Sequence, residues 1–416
     1  MDNNQIISHT VYDVLIIGGG AAGFFTAINA AEKNPELKIA ILERGQEVLN
    51  KVKVSGGGRC NVTHAQFVPK ELTKRYPRGE KELLGPFHSF MTGDTITWFE
   101  ERGIALKIEE DGRMFPVSDS SQTIIDCFVK EVERFGIEVI KGASVKAFSE
   151  ENNQWKVSSN TQEYICQKLV LATGSNPKIW KMIGQLGHTI IPPVPSLFTF
   201  NIKDQRILDL AGVATDVSIK VTGTNGKELL QSEGPLLITH WGMSGPAILK
   251  LSAWGARILE PLHYNFEIQI NWLFDASEED TLESLMDCKS VNPKQTVQKY
   301  AQLGMPKRLW QRLVMASGID VTETWAEISK IKLQNLANQL TKSHFQVEGK
   351  STFKEEFVTA GGVDLKEINF KRFESKLHPN LFFAGEVLNI DAITGGYNFQ
   401  NAWTGGFMVA KAIFDD

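Results

Sequence analysis

Residues 11–43 read VYDVLIIGGGAAGFFTAINAAEKNPELKIAILE. Val11–Ile17 is an apolar run rich in β-branched residues, the pattern of a strand buried in a parallel sheet. It runs straight into Gly18-Gly19-Gly20-Ala21-Ala22-Gly23, which sets Gly18, Gly20 and Gly23 at the three glycine positions of G-x-G-x-x-G. Gly18 permits the tight turn, Gly20 lets the backbone approach a pyrophosphate, and Gly23 lets the following helix pack against the strand. Phe24–Glu32 has the spacing of that helix, and its N-terminal N–H groups and positive dipole end suit phosphate. A second strand, Lys38–Leu42, ends at Glu43, 20 residues after Gly23. A carboxylate at that place accepts hydrogen bonds from ribose hydroxyls. Strand, glycines, helix, strand and acid in this order predict a dinucleotide-binding βαβ unit. Gly18, Gly20, Ala21, Ala22, Gly23, Glu43 and Arg44 are its expected ligand contacts. Glu43 disfavours a 2′-phosphate, so the unit fits FAD or NAD better than NADP. By itself it does not separate the first two.

Three further segments favour FAD. Lys51–Asn61 reads KVKVSGGGRCN. Three consecutive glycines expose backbone N–H groups, and Lys51, Lys53 and Arg59 add positive charge. Lys51, Ser55, Gly56, Gly57, Gly58, Arg59, Cys60 and Asn61 are therefore expected beside a cofactor longer than its adenosine half. In Lys168–Gly174, KLVLATG, an apolar strand ends in Ala172-Thr173-Gly174, small enough for the chain to pass close to a dinucleotide. Strand-like pieces before it form an expected meander, in which the backbone of Val145 meets the adenine edge. Asn380–Gln400 reads NLFFAGEVLNIDAITGGYNFQ. A short buried strand ends at Gly385-Glu386, Asp391 follows, and Gly395-Gly396-Tyr397-Asn398 opens a last helix. Gly385, Glu386 and Asp391 suit a ribityl chain and pyrophosphate. Gly395, Gly396, Tyr397 and Asn398 would turn backbone N–H groups and a helix dipole toward the flavin pyrimidine. An NAD dehydrogenase has no evident use for this third element.

Together with DGRMFPVSD (111–119), THWGMSGPAIL (239–249) and FVTAGGVDLKEIN (357–369), these motifs resemble the YhiN/BaiN family of bacterial flavoproteins. Some of its members are labelled aminoacetone oxidases. The resemblance runs from residue 11 to about 410, nearly the whole chain. It implies bound FAD, a glutathione-reductase-like nucleotide domain and a substrate domain inserted into it. It implies no single substrate.

The expected fold is therefore α/β: a Rossmann FAD domain with a β-rich plus helical insert. Residues 1–190 read as the first part of the FAD domain, up to a proline-rich break. Residues 191–275 alternate like strands, 276–349 have helical spacing, and 350–416 return to the FAD domain. One full dinucleotide fingerprint is present, so a nicotinamide donor, NAD(P)H, is expected only as a transient visitor.

Bulk properties narrow the class. The chain has 416 residues, 42% of them hydrophobic and 22% charged, and a formal net charge of -5. That composition is ordinary for a globular protein. The charge and the lack of a basic run argue against a nucleic-acid partner. The four cysteines, Cys60, Cys127, Cys166 and Cys288, form no CxxC pair and suit a reducing compartment. No metal-ligand spacing appears, no apolar stretch is long enough for a bilayer, and the first ten residues do not resemble a signal peptide. The expectation is a cytoplasmic protein with a small-molecule substrate, no membrane and no metal.

For chemistry, three residues stand out. His240, in a turn of the insert, carries an imidazole, the side-chain type most used as a general acid or base. Arg113 can hold a carboxylate, and its competing role is an ion pair with Glu109, Glu110 or Asp111. Arg59, directly after the glycine triplet, can stabilise charge. Cys60 beside it reads as a packing residue. The first reading is an oxidoreductase that passes hydride through flavin N5 to an organic acceptor such as an activated C=C. Its alternatives are an amine oxidase producing hydrogen peroxide, and an FAD protein with a structural or macromolecule-modifying role.

Overall fold

A computed structural model of the protein describes residues 10–223, 227–352 and 358–414. The chain forms two units, Met1–Val194 with Lys354–Asp416, and Pro195–Phe353.

The first unit is built on β1 (Thr10–Ile17), α1 (Ala21–Lys33) and β2 (Ile39–Glu43). β1 is buried over its last four residues, and parallel strands flank it on both sides: β2 on one and Glu163–Leu171 on the other. Glu138–Lys141 extends the sheet beyond β2, and Leu381–Phe383 extends it beyond Glu163–Leu171, again in parallel. The register matters for function. Ile17 lies opposite both Leu42 and Leu171, and Leu171 lies opposite Phe383. Four strands thus end in one row, and the turns after them open on one sheet edge. Ligands of open α/β sheets bind at that carboxyl edge.

α1 packs on the last helix, Tyr397–Ala412. Gly406 allows this, since a Cβ there would stand 3.1 Å from the Ala22 oxygen and the Thr26 nitrogen. An aromatic core closes the back of the two helices. Phe25 meets the rings of Phe90, Trp98 and Trp403 at 5.5, 4.7 and 5.3 Å. The meander expected before the ATG strand is present as Val145–Glu151 and Gln154–Ser159, antiparallel to each other, and the second pairs with Glu163–Leu171.

The second unit is a seven-stranded sheet with helices. Ala214–Thr222, Glu228–Thr239 and Asn265–Asn271 alternate buried apolar and exposed polar residues, as a sheet with one covered face requires. The expected division at residue 276 into a β-rich and a helical part does not exist as two bodies. Ser343–Glu348, which follows the helices, returns to pair with Asn265–Asn271. Trp310, Leu313 and Leu336 of the helices share one core with Ile219 and Ile268 of the strands. The alternating strand residues need a cover, and the amphipathic helices supply it.

Candidate cofactor site and its neighbours

The glycine turn after β1 carries the clearest ligand signal. A Cβ on Gly18 would run into the Ala172 carbonyl, and one on Gly23 into the Gly18 carbonyl, so the protein's own backbone demands glycine at both. Gly20 is different. Its φ of -98° and ψ of -171° suit any residue, and an added Cβ would meet nothing within 4 Å. Neither conformation nor protein packing explains glycine there. A ligand that must approach the backbone does. The first turn of α1 has no acidic residue and no side-chain cap, so its N–H groups are available to a phosphate.

Glu43 stands at the end of β2 as expected. Its Oε2 accepts from the Gly19 N–H at 2.9 Å and its Oε1 from the Gly45 N–H at 2.8 Å. These bonds fix the carboxylate, and each oxygen keeps a lone pair for a ribose hydroxyl. Arg44 beside it is exposed, and Val145 is buried at the start of its strand.

Lys51, Glu386 and Gly174 come together from three distant parts of the chain. Lys51 Nζ lies 2.5 Å from Glu386 Oε2, and the other Glu386 oxygen accepts from the Thr359 N–H at 3.0 Å. A Cβ on Gly174 would be 3.6 Å from Glu386 Oε2. Thr173 and Gly174 are half-buried there, next to buried Ala172 and Gly385. The glycine triplet ends helix α2 (Asn50–Gly58), where the chain leaves helical geometry at Ser55. Gly56, Gly57 and Gly58 have φ of +57°, +68° and +84°, a left-handed run that L side chains resist. Added Cβ atoms on Gly57 and Gly58 would again meet nothing within 4 Å. The open space at Gly20 and at this triplet, the unblocked helix end and the Glu43 carboxylate fit FAD.

Several expected contacts are corrected by the geometry. Asp391 has no exposed surface, and Arg78 holds it through Nε–Oδ1 at 2.5 Å and a second bond from Nη2 to Oδ2. It is half of an internal ion pair that ties residue 78 to the C-terminal segment, and it does not reach a ribityl chain. Arg59 bonds Glu109 at 2.6 Å and lies 3.9 Å over the Phe115 ring. Arg113 takes the other oxygen of Glu109 at 3.1 Å and Asp111 at 2.7 Å. Both arginines expected to face substrate are thus paired with carboxylates: they share Glu109, and Asp119 and Asp111 give each a second partner. They clamp the strand Arg113–Pro116 to the glycine triplet.

Cys60 is fully buried, and burial pushes its thiol up to about 12. It packs and stays protonated at ordinary pH. At pH 8, iodoacetamide should leave Cys60, Cys127 and Cys166 unlabelled in the native protein and label all of them in denaturant. Fast native alkylation of Cys60 would contradict the packing role.

His240 and Trp241 form the exposed two-residue tip of a hairpin in the second unit, closed by the Thr239–Gly242 pair. Among the described residues no hydrogen bond to the His240 ring is seen. At the last helix, Asn398 closes its own loop: its Oδ1 accepts from the Ala392 N–H at 3.0 Å, and its Nδ2 donates to the Ala392 oxygen at 3.2 Å. Buried Asn61 faces the glycine pair before that helix, where its amide oxygen, oriented to suit its neighbours, accepts from the Gly396 N–H at 3.0 Å.

The residues around Tyr397 escaped the sequence reading. His64 stacks on the Tyr397 ring at 4.6 Å, with its Nδ1 3.0 Å from the Gly395 oxygen. Tyr76 donates its hydroxyl to the Tyr397 oxygen at 2.6 Å. The Arg75 carbonyl accepts from the Ile393 N–H at 3.0 Å. Burial raises the Tyr397 phenol to about 12, the nearby Arg75 charge pulls it down, and Asp111 pushes it up. Among the described residues the Arg75 guanidinium makes no ion pair, and its buried Nε has no hydrogen-bond partner. A cation that forms no ion pair among the described residues, beside a buried phenol, is a place for a ligand oxygen. The sequence offered one faint signal, two arginines in Arg75-Tyr-Pro-Arg78.

A second polar line lies at the sheet edge but carries no chemistry. His188 joins Glu367 at 2.8 Å and Ser375 at 2.9 Å, in the order of a hydrolytic triad. The Ser375 oxygen is buried and already accepts from the Leu377 and His378 N–H groups, so it is no nucleophile.

Among the described residues no cluster of His, Cys, Asp and Glu fits a metal ion, and no helix is long and apolar enough to cross a membrane. The chain matches the HI0933-like protein Rossmann domain over residues 12–412. It is 30% identical over 413 residues to a ribosomal RNA dihydrouridine synthase of Haemophilus influenzae, an alignment covering 96% of this chain and 98% of that one. It is 26% identical over 408 residues to a 3-dehydro-bile acid delta(4,6)-reductase of Clostridium scindens, covering 95% and 98%. A solved 3-ketosteroid-delta4-(5alpha)-dehydrogenase of Rhodococcus jostii aligns over 99% of both chains at 12% identity and a TM-score of 0.51, a likeness of fold alone. These relatives agree with the resemblance carried by the motifs. The chain belongs to the HI0933-like Rossmann family and is an FAD-dependent oxidoreductase.

Proposed function

We propose that this protein reduces a carbon–carbon double bond conjugated to a carbonyl, and that its substrate is a uracil base in RNA. One observation carries the reading: the two named activities of its near-full-length relatives share that chemistry. Dihydrouridine is uridine with its ring double bond saturated, and a delta(4,6)-reductase of a 3-oxo steroid saturates a conjugated enone. RNA is preferred because two ribosomal RNA dihydrouridine synthases, from different bacteria, match at 30% identity over nearly the whole chain. The small-molecule expectation rested on net charge, which averages over the surface and is blind to a local patch.

Bound FAD, reduced by NAD(P)H, supplies the hydride. The protein's part is holding and polarising. The turn at Gly20 and the first turn of α1 would hold the pyrophosphate, Glu43 the ribose, and Lys51 with Glu386 the segment between. As hydride reaches the far carbon of the double bond, negative charge builds on the conjugated carbonyl oxygen. The Arg75 guanidinium is the group suited to stabilise it. The second carbon needs a proton. Tyr397, kept protonated by its burial and close enough to feel the Arg75 charge, is the donor we assign.

The reductase test is anaerobic. Protein bleached with NADH or NADPH is mixed in turn with ribosomal RNA lacking the modification and with a steroid enone; in a separate aerobic arm without NAD(P)H, oxidised protein is given an amine. Rapid return of the flavin band with RNA, and dihydrouridine in the digested product, is the expected result. Reoxidation by the enone alone would move the substrate to small molecules. Failure of both acceptors, with peroxide formed from an amine, would replace the reductase by the oxidase.

A further inference from the structure

Residues 288–319 read CKSVNPKQTVQKYAQLGMPKRLWQRLVMASGI and hold six cations and no acid, within a chain of net charge -5. The cations are Lys289, Lys294, Lys299, Lys307, Arg308 and Arg312. Apart from Lys307-Arg308 they are spaced along the chain, which is why no basic run is seen. The segment lies wholly in the second unit and folds on itself. Helix Lys307–Ala316 buries Leu309, Trp310, Leu313 and Val314 and leaves Lys307 and Arg308 exposed. The Trp310 indole N–H donates to the Val297 oxygen at 2.9 Å, which ties the loop carrying Lys294 and Lys299 to that helix.

Among the described residues none of the six forms an ion pair. Lys289 donates to the Ile328 carbonyl at 2.6 Å, Arg312 to that of Leu208 at 3.2 Å, and Arg308 to that of Asp209. Each of these three rests on a neutral oxygen and keeps its charge uncompensated. Asp287 and Asp320 flank the segment; Asp320 is engaged by the Thr322 N–H at 2.9 Å and hydroxyl at 2.7 Å, and beyond it Glu323 holds Lys332 at 2.6 Å. Tyr300, 47% exposed with Lys299 Nζ 5.4 Å over its ring, adds a flat aromatic face.

We propose that Cys288–Ile319 is the surface by which this protein grips the phosphate backbone of RNA. Uncompensated cations release counterions on binding phosphates, and an exposed aromatic stacks on an unpaired base. The inference takes its ligand from the RNA reading above, but its test needs no turnover. FAD-loaded full-length protein is titrated onto a fluorescent ribosomal RNA hairpin at several salt concentrations, beside a variant carrying Lys294→Gln, Lys299→Gln and Lys307→Gln. These three side chains make no hydrogen bond or ion pair among the described residues, so the variant should fold and its flavin should bleach with NAD(P)H at the normal rate.

The variant is expected to lose at least about tenfold in affinity near 0.1 M salt, and the slope of log K against log salt should shrink by roughly 2–3. Unchanged affinity and slope would overturn the proposal. So would wild-type binding to phosphatidylserine vesicles in preference to RNA. Reduction of a steroid enone alone, with RNA binding lost in the triple variant, would sink the substrate reading and leave this surface standing.

Discussion

Replacing Arg75 with methionine should slow electron transfer from reduced protein to its carbonyl-conjugated acceptor by about 10²–10³-fold, the usual loss when one donor to a developing oxyanion is removed. FAD content and the rate of bleaching by NAD(P)H should stay within about twofold of wild type, because no step before the acceptor builds charge on that oxygen. Stability separates this from damage. In the free protein the Arg75 Nε is buried without a partner, and an unsatisfied buried donor costs about 1–3 kcal/mol. Methionine keeps much of the volume and removes that donor, so the melting temperature should hold or rise. A residue that destabilises the free protein and matters for turnover is held there for its ligand. Arg75→Lys should recover part of the rate, since the charge returns without the planar fork. If Arg75→Met releases FAD, or melts several degrees lower with activity falling in step, Arg75 is a structural or cofactor residue and the acceptor assignment fails.

The sequence was most legible where the chemistry is local. The turn from β1 through the glycines to α1 is written in 13 consecutive residues; the strand ends at Ile17 as read, and the helix read from Phe24 begins at Ala21, inside the glycine motif. It was least legible where function depends on partners far along the chain. Lys51 and Glu386 are 335 residues apart, and Arg78 and Asp391 are 313 apart. No local pattern tells an acid at a cofactor from an acid in a buried pair, so Glu386 and Asp391 looked alike. The structure leaves the first half-exposed beside Gly174 and seals the second against Arg78. Arg59 was misjudged for the same reason, since Glu109 lies 50 residues further on. Arg113 took the competing role that its own neighbours offered, an ion pair with Glu109 and Asp111. In the insert, helical spacing after residue 276 was visible, but the return of Ser343–Glu348 to the sheet was not. An edge strand is recognised by its partner. The acid-free basic segment was missed because net charge was summed over the whole chain.

The same contrast between protein-imposed and ligand-imposed residues gives a second large effect. Gly20→Ala should leave the FAD-free protein folded and cut its affinity for FAD by at least about 100-fold. Gly20 is the N-cap of α1 with ordinary extended backbone angles, and its new methyl group points into open space. Two small terms act on the free protein. Alanine is a poorer N-cap than glycine by some tenths of a kcal/mol, and it lowers the entropy of the unfolded chain by about 0.4–1 kcal/mol. They oppose each other, so the apo melting temperature should barely move. With FAD the methyl group occupies the space the pyrophosphate needs against the backbone. A 100-fold weaker site removes about 2.7 kcal/mol of the stabilisation that saturating FAD confers, by mass action. The thermal shift on adding FAD should therefore collapse in the variant while its apo baseline stays put. Gly23→Ala should do the reverse. Its Cβ would strike the Gly18 carbonyl, so the βαβ turn itself must move, at roughly 1–3 kcal/mol or more in the apo protein. Equal apo losses in the two variants would mean that the space at Gly20 is filled by the protein itself. A normal FAD shift in Gly20→Ala would mean that the pyrophosphate does not pass there.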